Sequence, residues 1–428
     1  MNDHDIAHVH ARRVWDSRGR PTVEAEVALH DGAVGRAIVP AGASKGSREA
    51  LELRDATAAF GGLDVMRAVG HVNGEIARAL VDSSAADQAA LDRRLVELDG
   101  TPPKSRLGAN ATLAVSMAAA HAMATSHRVP LHEYLGGADA TLLPMPQIQI
   151  FGGGAHAGRR VDVQDFMIVC PGAHNFAQAL EWTAEVYRHA GLLMQERGSH
   201  GGVADEGGWW PDFDTNEHAL QTLVAAIERA GFEPGRQVAI ALDIAASEFG
   251  RRGRYTLGLE SRELDSDGLI ELLLRWIDTY PIVSIEDPLG EDDTDGFARF
   301  TRAAGTRVQI VGDDFLVSDA DLVRRAAASG AANAVLLKPN QRGTLTETLQ
   351  AWRAAQAAGY AGIVSARSGE TEDTTIVHLA VGWQTGQLKV GSFARGERMA
   401  KWNEALRIEE RFGGRARFAG AGVFGRNR

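Results

Sequence analysis

Runs of apolar residues separated by polar, helix-like stretches dominate the second half of the chain. Three of these runs end in acidic residues, and they read VAIALD, YPIVSIED and VQIVGDD. An apolar strand followed by a helix, repeated along a chain, is typical of a parallel α/β barrel, whose strands are buried on both faces. The pattern therefore predicts a barrel of alternating strands and helices.

The first third of the chain has a different pattern. The segment PTVEAEVALHDGAVGRAIVP alternates apolar and polar residues around a His-Asp-Gly turn, which predicts an antiparallel hairpin with one solvated face. Alanine-rich segments with helical spacing follow as far as Tyr134. The glycine-rich segment LGGADATLLPMP is the best candidate for a linker. We predict a small α+β domain over residues 1–138 and a barrel domain over residues 139–428.

The acidic ends of the apolar runs carry the first candidate chemistry. Asp243, Glu286 and Asp313 each lie at the downstream end of a predicted strand, and barrel enzymes gather their catalytic residues where the strands end. Three converging carboxylates, with no accompanying histidine or cysteine, favour Mg²⁺ over zinc or iron because hard oxygen ligands suit that ion. The alternative is that each residue caps the following helix or is solvated in a loop.

Cationic residues follow the later apolar runs. ANAVLLK ends on Lys338, AGIVSARS ends on Arg367 and Ser368, and GQLKVGS carries Lys389. In a barrel these residues would surround the same mouth as the acidic ones. A rim that holds a divalent metal and several cations suits a small anionic substrate.

Two glycine-rich loops resemble nucleotide-binding loops only superficially. PAGASKGSREA contains Ser44 but lacks the Gly-Lys-Ser/Thr ending of a P-loop, and the glycine spacing of GGGAHAG, which contains His156, does not suit a dinucleotide. We interpret both as mobile lids over the barrel mouth. A lone histidine in such a loop is usually a surface or packing residue rather than a ligand contact.

Composition and charge limit the partners and the cellular location that we expect for the protein. The chain has 428 residues and a net charge of -11 with both signs interspersed, so we expect no nucleic-acid partner. The N-terminus does not read as a signal peptide, and no apolar run approaches the length of a membrane span. Cys170 is the only cysteine, which fits a reducing compartment, so we expect a soluble, cytoplasmic protein. The basic, glycine-rich end after Arg411 predicts a frayed terminus.

Eleven segments recur in the order of a known family. They are WDSRGRPTVEAEV, VPAGASKGSREALELRD, GGGAHAG, QDFMI, ADEGG, ALDIAASEF, SIEDP, VGDD, LLKPNQRGTLTET, RSGETEDT and KWNEALRIEE. Together they resemble the enolase family over nearly the whole chain. The resemblance implies an N-terminal α+β capping domain and an enolase-type (β/α)8 barrel whose second strand is antiparallel. It also implies the reversible dehydration of 2-phosphoglycerate to phosphoenolpyruvate with two Mg²⁺ ions.

The resemblance assigns the metal ligands and the base. Asp243, Glu286 and Asp313 would bind the first Mg²⁺, and Ser44 would help to hold a second that binds with the substrate. Lys338 matches the base that removes the proton next to the carboxylate. That base must be neutral, and we expect the metal and a nearby lysine to favour its uncharged amine because like charges disfavour ammonium.

The resemblance also assigns the substrate contacts. Lys389 matches the residue that contacts the substrate carboxylate, and Arg367 and Ser368 match those that hold the phosphate. His156 matches the lid histidine. Glu206, in ADEGG, matches the acid that assists departure of the 3-hydroxyl.

The chain departs from the family pattern on the acid side of the site. Asp165 stands where enolases have a catalytic glutamate that pairs with Glu206, and it is shorter by one methylene. Ala366 stands where the family has histidine. Trp209 and Trp210 replace a smaller pair, which predicts added bulk beside the acid.

These departures leave three functional hypotheses. The chain is an enolase that tolerates an unusual acid site, or it makes a related enol product, as does the family member that forms carboxyphosphonoenolpyruvate in phosphonate biosynthesis. The third hypothesis is a binding or regulatory protein without activity. The retained metal and base positions favour the first two.

The resemblance also bears on assembly. Glu24 and Arg407 match positions that form an ion pair across the enolase dimer, so we expect a homodimer. The remaining partner would be a small phosphorylated carboxylate, with no nucleic acid and no membrane.

Overall fold

The first elements of the chain form an antiparallel sheet followed by helices. The computed structural model describes residues 2–199 and 201–424. The sheet consists of β1 (Ile6–Trp15), β2 (Pro21–Leu29) and β3 (Val34–Ile38), in that spatial order. The helices are α1 (Met66–His71), α2 (Ala77–Leu80), which a π-helical turn joins to α1, α3 (Gln88–Asp99), α4 (Ala109–Ser126) and α5 (Leu131–Gly136).

The hairpin expected from the sequence is present as β2 and β3, with one face in the core and the other partly solvated. Helix α4 packs on both strands, and its alanines permit so close an approach that a Cβ on Gly35 would lie 2.1 Å from Ala118 O. On the other face of β2, Arg12 and Arg36 cover the carboxylate of Glu24, which is 6% exposed. This outer face is the expected solvated one, since the side chains of Glu26 and Arg36 on it are 33% and 64% exposed, although ion pairs shield Glu24.

The rest of the chain contains the barrel. Its strands and their neighbours are β4 (Leu142–Leu143), β5 (Met145–Gly152), β6 (Asp165–Val169), β7 (Ala239–Asp243), β8 (Gly250–Arg251), β9 (Arg254–Leu257), β10 (Arg262–Asp265), β11 (Ile282–Glu286), β12 (Gln309–Gly312), β13 (Ala334–Leu337), β14 (Ala361–Ser365), β15 (Gly386–Ser392) and β16 (Arg417–Phe418). The closed order is β11-β12-β13-β14-β15-β5-β6-β7. The barrel predicted from the apolar runs is confirmed.

One barrel strand runs against the others. Strand β6 pairs antiparallel with both β5 and β7, whereas the other neighbouring strands are parallel. This confirms the antiparallel second strand that the resemblance implied. The reversal also means that β6 begins, rather than ends, at the mouth formed by the downstream ends of the parallel strands.

Helices surround the barrel. They are α6 (Phe176–Glu196), α7 (Asn216–Arg229), α8 (Ser266–Thr279), α9 (Thr294–Ala304), α10 (Ala320–Ser329), α11 (Leu345–Ala358), α12 (Thr375–Gly382) and α13 (Gly396–Phe412). The side chains of Asp265, Asp293 and Asp319 accept backbone hydrogen bonds at the N-termini of α8, α9 and α10. Within the described part of the chain, no helix combines the length and apolar character that crossing a membrane requires.

The C-terminal segment closes the barrel at the end opposite the mouth. Strand β16 pairs with β4, and Phe418, Val423 and Phe424 pack against a buried cluster that includes Met145 and Val169 at the other ends of β5 and β6. The expected frayed terminus was therefore wrong as far as residue 424, because apolar side chains among the glycines cover the barrel floor. Residues 425–428 lie outside the described part of the chain.

The contact between the sheet and α4 gives a stability prediction. Gly35→Ala should lower the free energy of unfolding by about 1–3 kcal/mol or more, because its Cβ would meet the α4 backbone, which cannot move aside. Gly70→Ala is the matched control: no atom lies within 4 Å of its Cβ position in helix α1, so it should be neutral or stabilising by up to about 1 kcal/mol. Denaturant unfolding measures both, and equal midpoints would contradict the prediction.

Candidate active site

The downstream ends of parallel strands bring the predicted acidic residues to one mouth. Asp243 and Glu286 are the last residues of β7 and β11 and pair in register, and Asp313 directly follows β12. We call these three residues the acidic triad. All three are buried, and other aspartates cap the helices that follow. The alternative that they are helix caps or solvated loop residues is therefore wrong.

Lys389 holds two members of the triad and a fourth carboxylate. Its Nζ lies 2.7 Å from Asp243 Oδ2, 2.8 Å from Glu286 Oε2 and 3.2 Å from Asp165 Oδ2. Asp165 reaches this point because it is the first residue of the reversed strand β6 and pairs with Asp243. Burial opposes the charge, but Asp243 and Glu286 raise the pKa of Lys389 well above its ordinary value. Lys389 is therefore a fixed cation at the centre of the mouth.

Lys338 contacts the third member of the triad. It directly follows β13, and its Nζ donates to Asp313 Oδ2, while Gln341 Nε2 donates to Asp313 Oδ1 at 2.9 Å. Burial opposes the ammonium form, but Asp313 raises the pKa of Lys338 above its usual value. The neutral amine expected of a base is therefore not a property of these residues alone. It requires another positive charge to compensate Asp313.

The structure groups carboxylates differently from the sequence expectation. Among the described residues, two groups have ligand atoms that all lie within 4.8 Å of one another. The first group consists of His156, Asp165 and Glu206. The second consists of Asp287, Asp313 and Asp314. The acidic triad is not one of these groups, because Lys389 lies between two of its carboxylates and Lys338 binds the third. An ion shared by the triad stays a prediction.

His156 lies between two carboxylates rather than at the surface. Its Nδ1 is 3.2 Å from Asp165 Oδ1, its Nε2 is 3.7 Å from Glu206 Oε1, and only 5% of the residue is exposed. Burial opposes protonation, but Glu206 and Asp165 raise the pKa of His156. Burial likewise opposes ionisation of Asp165, yet Lys389 and His156 hold the pKa of Asp165 well below its usual range. His156 is therefore not a surface residue, and its contact with a ligand stays a prediction.

Gln149, which the sequence analysis did not single out, links the two acids of this side. Its Nε2 donates to Asp165 Oδ1, and its Oε1 accepts the Gly208 N–H at 2.9 Å. Gly208 belongs to the same short loop as Glu206. One buried amide on β5 therefore orients Asp165 and also fixes the loop that carries Glu206.

Trp209 anchors that loop from the outside. Its backbone N–H donates to Ile150 O and its Nε1 donates to Tyr187 O, each at 2.8 Å, and its ring stacks on Tyr187 with centroids 4.9 Å apart. The indole also packs on Gly191 of α6, where a Cβ would lie 2.4 Å from it. A glycine and a tyrosine on α6 therefore accommodate the added bulk of the Trp209 ring.

Arg367 and Ser368, the residues that the resemblance assigns to the phosphate, lie under the first glycine-rich loop. The guanidinium of Arg367 is buried and donates to Ser44 O at 2.9 Å and to the carboxylate of Glu49. The hydroxyl oxygen of Ser368 accepts the Ala43 N–H at 2.9 Å. Residues 40–50 therefore lie over this part of the mouth.

A single small cavity joins these groups. The predicted residues that line it are Ser44, His156, Asp165, Glu206, Asp243, Lys338, Arg367, Ser368 and Lys389. Glu286 and Asp313 reach it through their contacts with the two lysines. Ala366, which stands in place of the family's histidine, also lines it.

Sequence reasoning missed several amides and one acid. Gln149, Gln164, Gln341 and Glu49 bind Asp165, Asp243, Asp313 and Arg367 respectively. Polar residues within otherwise buried segments were the available signal for the three glutamines, since buried polar groups need partners. Glu49 lies inside a loop that was recognised, but nothing in the sequence indicated that its carboxylate faces the barrel.

The fold and the mouth define a class: a capped α/β barrel whose buried carboxylates and lysines surround one small polar cavity. Residues 140–426 match the family described as "Enolase, C-terminal TIM barrel domain", and residues 6–135 match "Enolase, N-terminal domain". The chain is also 49% identical to "Enolase 1" of Desulfitobacterium hafniense (strain Y51) over 427 residues, which cover 99% of this chain and 98% of that protein. The chain belongs to the enolase family.

Family membership implies Mg²⁺, and the residues present suit that ion. Carboxylate oxygens, the ligands that Mg²⁺ prefers, make up most of the donor set at the mouth, and His156 adds a nitrogen donor. Burial and then Asp243 raise the pKa of Glu286 well above its usual range, and its Oε1 accepts no hydrogen bond from the described residues. A buried carboxylate oxygen without a partner is unfavourable unless a proton or a cation binds to it.

The amide link gives a prediction for this site. Gln149→Leu keeps the approximate volume but leaves the buried Gly208 N–H and Asp165 Oδ1 each without one partner, so the free energy of unfolding should fall by about 1–3 kcal/mol. Gln149→Glu should cost more, since it adds a carboxylate next to Asp165, and the extra cost should shrink at low pH. Unfolding curves at two pH values measure this, and an unchanged midpoint for both variants would contradict the role of Gln149.

Proposed function

We propose that the protein catalyses the Mg²⁺-dependent, reversible dehydration of 2-phosphoglycerate to phosphoenolpyruvate, the glycolytic enolase reaction. The observation that carries the proposal is the meeting of Lys338, Lys389 and Arg367 with buried carboxylates around one cavity. Membership of the enolase family supports the same conclusion. The enzyme is a carbon-oxygen lyase in this proposal.

The acidic triad would hold the first Mg²⁺, and Ser44, on the loop over the mouth, would help to hold a second that arrives with the substrate. Two bound ions supply positive charge that stabilises the doubly charged carboxylate as the proton next to it is removed. Glu286 Oε1, which has no hydrogen-bond partner among the described residues, supports a cation at the triad.

Lys338 would accept the C2 proton at its Nζ. The electron pair of the C–H bond moves into the substrate carboxylate, where Lys389, held in place by three carboxylates, is a fixed positive charge. The nitrogen of Lys338 must be uncharged for this step, so its contact with Asp313 has to weaken when the site is loaded.

The acid side would complete the elimination. Glu206, with Asp165 and His156 beside it, donates a proton to the departing 3-hydroxyl, which leaves as water while the C2–C3 double bond forms. Arg367 and Ser368 hold the phosphate throughout. The raised pKa of His156 favours its cationic form beside these two carboxylates.

The proposal also covers the domain boundaries, the oligomeric state and the location of the protein. We propose an N-terminal capping domain at residues 1–138 and a catalytic barrel domain at residues 139–428, supported by the first barrel strand at Met145–Gly152. We also propose a homodimer in the cytoplasm that uses Glu24 and Arg407. Within one chain these side chains contact Arg12 and Glu404, so the ion pairs would have to exchange on assembly, and sedimentation velocity measures the oligomeric state.

The dehydration is directly measurable. The purified protein should convert 2-phosphoglycerate to phosphoenolpyruvate, followed by the ultraviolet absorbance of the enol phosphate, only when Mg²⁺ is present. Lys338→Ala should lower kcat about a hundredfold or more, the usual size of a lost proton-transfer group. It should also abolish the exchange of C2 deuterium into water. A Lys338→Ala variant that still exchanges C2 deuterium would remove the lysine from its assigned role.

Asp165 and Ala366 favour a second candidate function, the formation of a related enol product from a modified substrate. Ala366 lines the cavity and offers only a methyl group, which leaves room for a different substituent. Such an enzyme should still wash C2 deuterium out of a phosphoglycerate through Lys338, even when no phosphoenolpyruvate forms. An absence of exchange with Mg²⁺ bound would instead favour the third hypothesis, a binding protein.

Ala366→His separates the first two candidates. If the chain is an enolase with a weakened acid side, the imidazole returns a polar group to the cavity and kcat for 2-phosphoglycerate should rise by about tenfold, the lower end of the effect of an acid-base group. If the cavity serves another substrate, the added ring should lower activity on 2-phosphoglycerate or leave it unchanged. Ala366→Ser is the control for a small polar addition.

A further inference from the structure

The guanidinium of Arg367 already binds an anion that belongs to the protein. Its NH1 donates to Glu49 Oε2 at 3.1 Å and its NH2 lies 3.3 Å from Glu49 Oε1, so the carboxylate of Glu49 meets the guanidinium through both oxygens. NH2 also donates to Ser44 O at 2.9 Å, and NH1 donates to Asn340 Oδ1 at 3.0 Å. The outer nitrogens of Arg367 are therefore bound to the loop and to one asparagine.

Glu49 is held in this position. Its Oε1 accepts the Gly46 N–H at 3.1 Å and lies 3.4 Å from Gln341 Nε2, and its side chain is 8% exposed. The loop backbone lies equally close, since a Cβ on Gly42 would be 2.0 Å from Arg367 NH2. The contact is thus a buried, charge-assisted pair that closes the first loop over Arg367 rather than an exposed ion pair of little energy.

A carboxylate and a phosphoryl group present the same feature to a guanidinium, namely two oxygens at the spacing of its paired N–H donors. The N–H groups that bind Glu49 cannot bind a phosphoryl group at the same time. The measured binding free energy of a phosphorylated ligand is then the difference between two terms. One is the free energy with which the site binds the phosphoryl group, and the other is the free energy with which it binds the less highly charged carboxylate of Glu49.

We propose that Glu49 is a specificity-determining residue that occupies the anion site of Arg367 and is displaced by the phosphoryl group of the substrate. The inference rests on the proposed assignment of Arg367 to the phosphoryl group. A doubly charged phosphoryl group displaces Glu49, whereas a singly charged carboxylate gains no advantage over it, so the site rejects unphosphorylated acids. Displacement breaks the contact of Glu49 with Arg367, and the hydrogen bond from Arg367 NH2 to Ser44 O couples phosphoryl binding to the position of Ser44.

Inorganic phosphate is the probe that tests this. Titration calorimetry with the full-length protein should give a Kd for phosphate about tenfold lower in Glu49→Gln than in the unaltered chain, equivalent to about 1.4 kcal/mol, because the amide competes without a charge. Acetate should bind Glu49→Gln measurably better than it binds the unaltered chain. Glu49→Asp keeps the charge on a shorter side chain and should give an intermediate Kd for phosphate.

Glu52→Gln is the matched control. It removes the same charge three residues further along the chain, where the carboxylate contacts Lys45 and Arg54 instead of Arg367. If Glu52→Gln tightens phosphate binding as much as Glu49→Gln, the effect is general electrostatics and the proposal is wrong. The proposal is also wrong if both Glu49 variants have native unfolding midpoints and bind phosphate no more tightly than the unaltered chain. The same holds if no form of the protein binds phosphate.

The outcome is separable from the test of the dehydration. Phosphate binding requires no turnover, so tighter binding by Glu49→Gln in a chain that does not dehydrate 2-phosphoglycerate would defeat only the proposed reaction. An active enzyme whose KM for 2-phosphoglycerate and Kd for phosphate do not respond to Glu49→Gln would defeat only the role of Glu49.

Discussion

Four carboxylates buried at one end of a barrel cannot all remain ionised without positive charge close to them, and this constraint shapes the site. Asp165, Asp243 and Glu286 share the ammonium group of Lys389, while Asp313 binds Lys338. Desolvation of each charge is costly, and the pairing offsets that cost only while both partners are in place. The lysines thus hold the carboxylates together and also set the balance of charge that a bound cation would change.

The reversed strand β6 is what completes this arrangement. In a barrel of uniformly parallel strands, the first residue of the second strand would lie at the floor. Because β6 runs the other way, Asp165 lies beside Asp243 and within reach of Lys389. The same reversal places Asp165 next to His156, so one carboxylate joins the ammonium group of Lys389 to the pair of His156 and Glu206.

The departures from the family pattern are accommodated locally. Gln149 binds both Asp165 and the backbone of the loop that carries Glu206, so the shorter aspartate remains oriented. Trp209 packs on Gly191 and Tyr187, away from the acids. Both Asp165 and Ala366 line the cavity, and Ala366 replaces a polar ring with a methyl group. The changes at Asp165 and Ala366 therefore coexist with the lysines and carboxylates of the mouth, which is why the two proposed reactions differ in what they require of these two positions.

The apolar runs of the chain determined the barrel and the strand ends that carry Asp243, Glu286, Asp313 and Lys338. The reason is that the spacing of apolar residues, which marks a strand buried on both faces or a helix, is a local property of the sequence. Residue order also indicated which loops would lie over the mouth. Tertiary structure alone decided that Lys389 lies between the carboxylates and that the carboxylate of Glu49 binds the guanidinium of Arg367. Those contacts join residues distant in sequence, and their geometry and charge balance exist only once the barrel has closed and water is excluded.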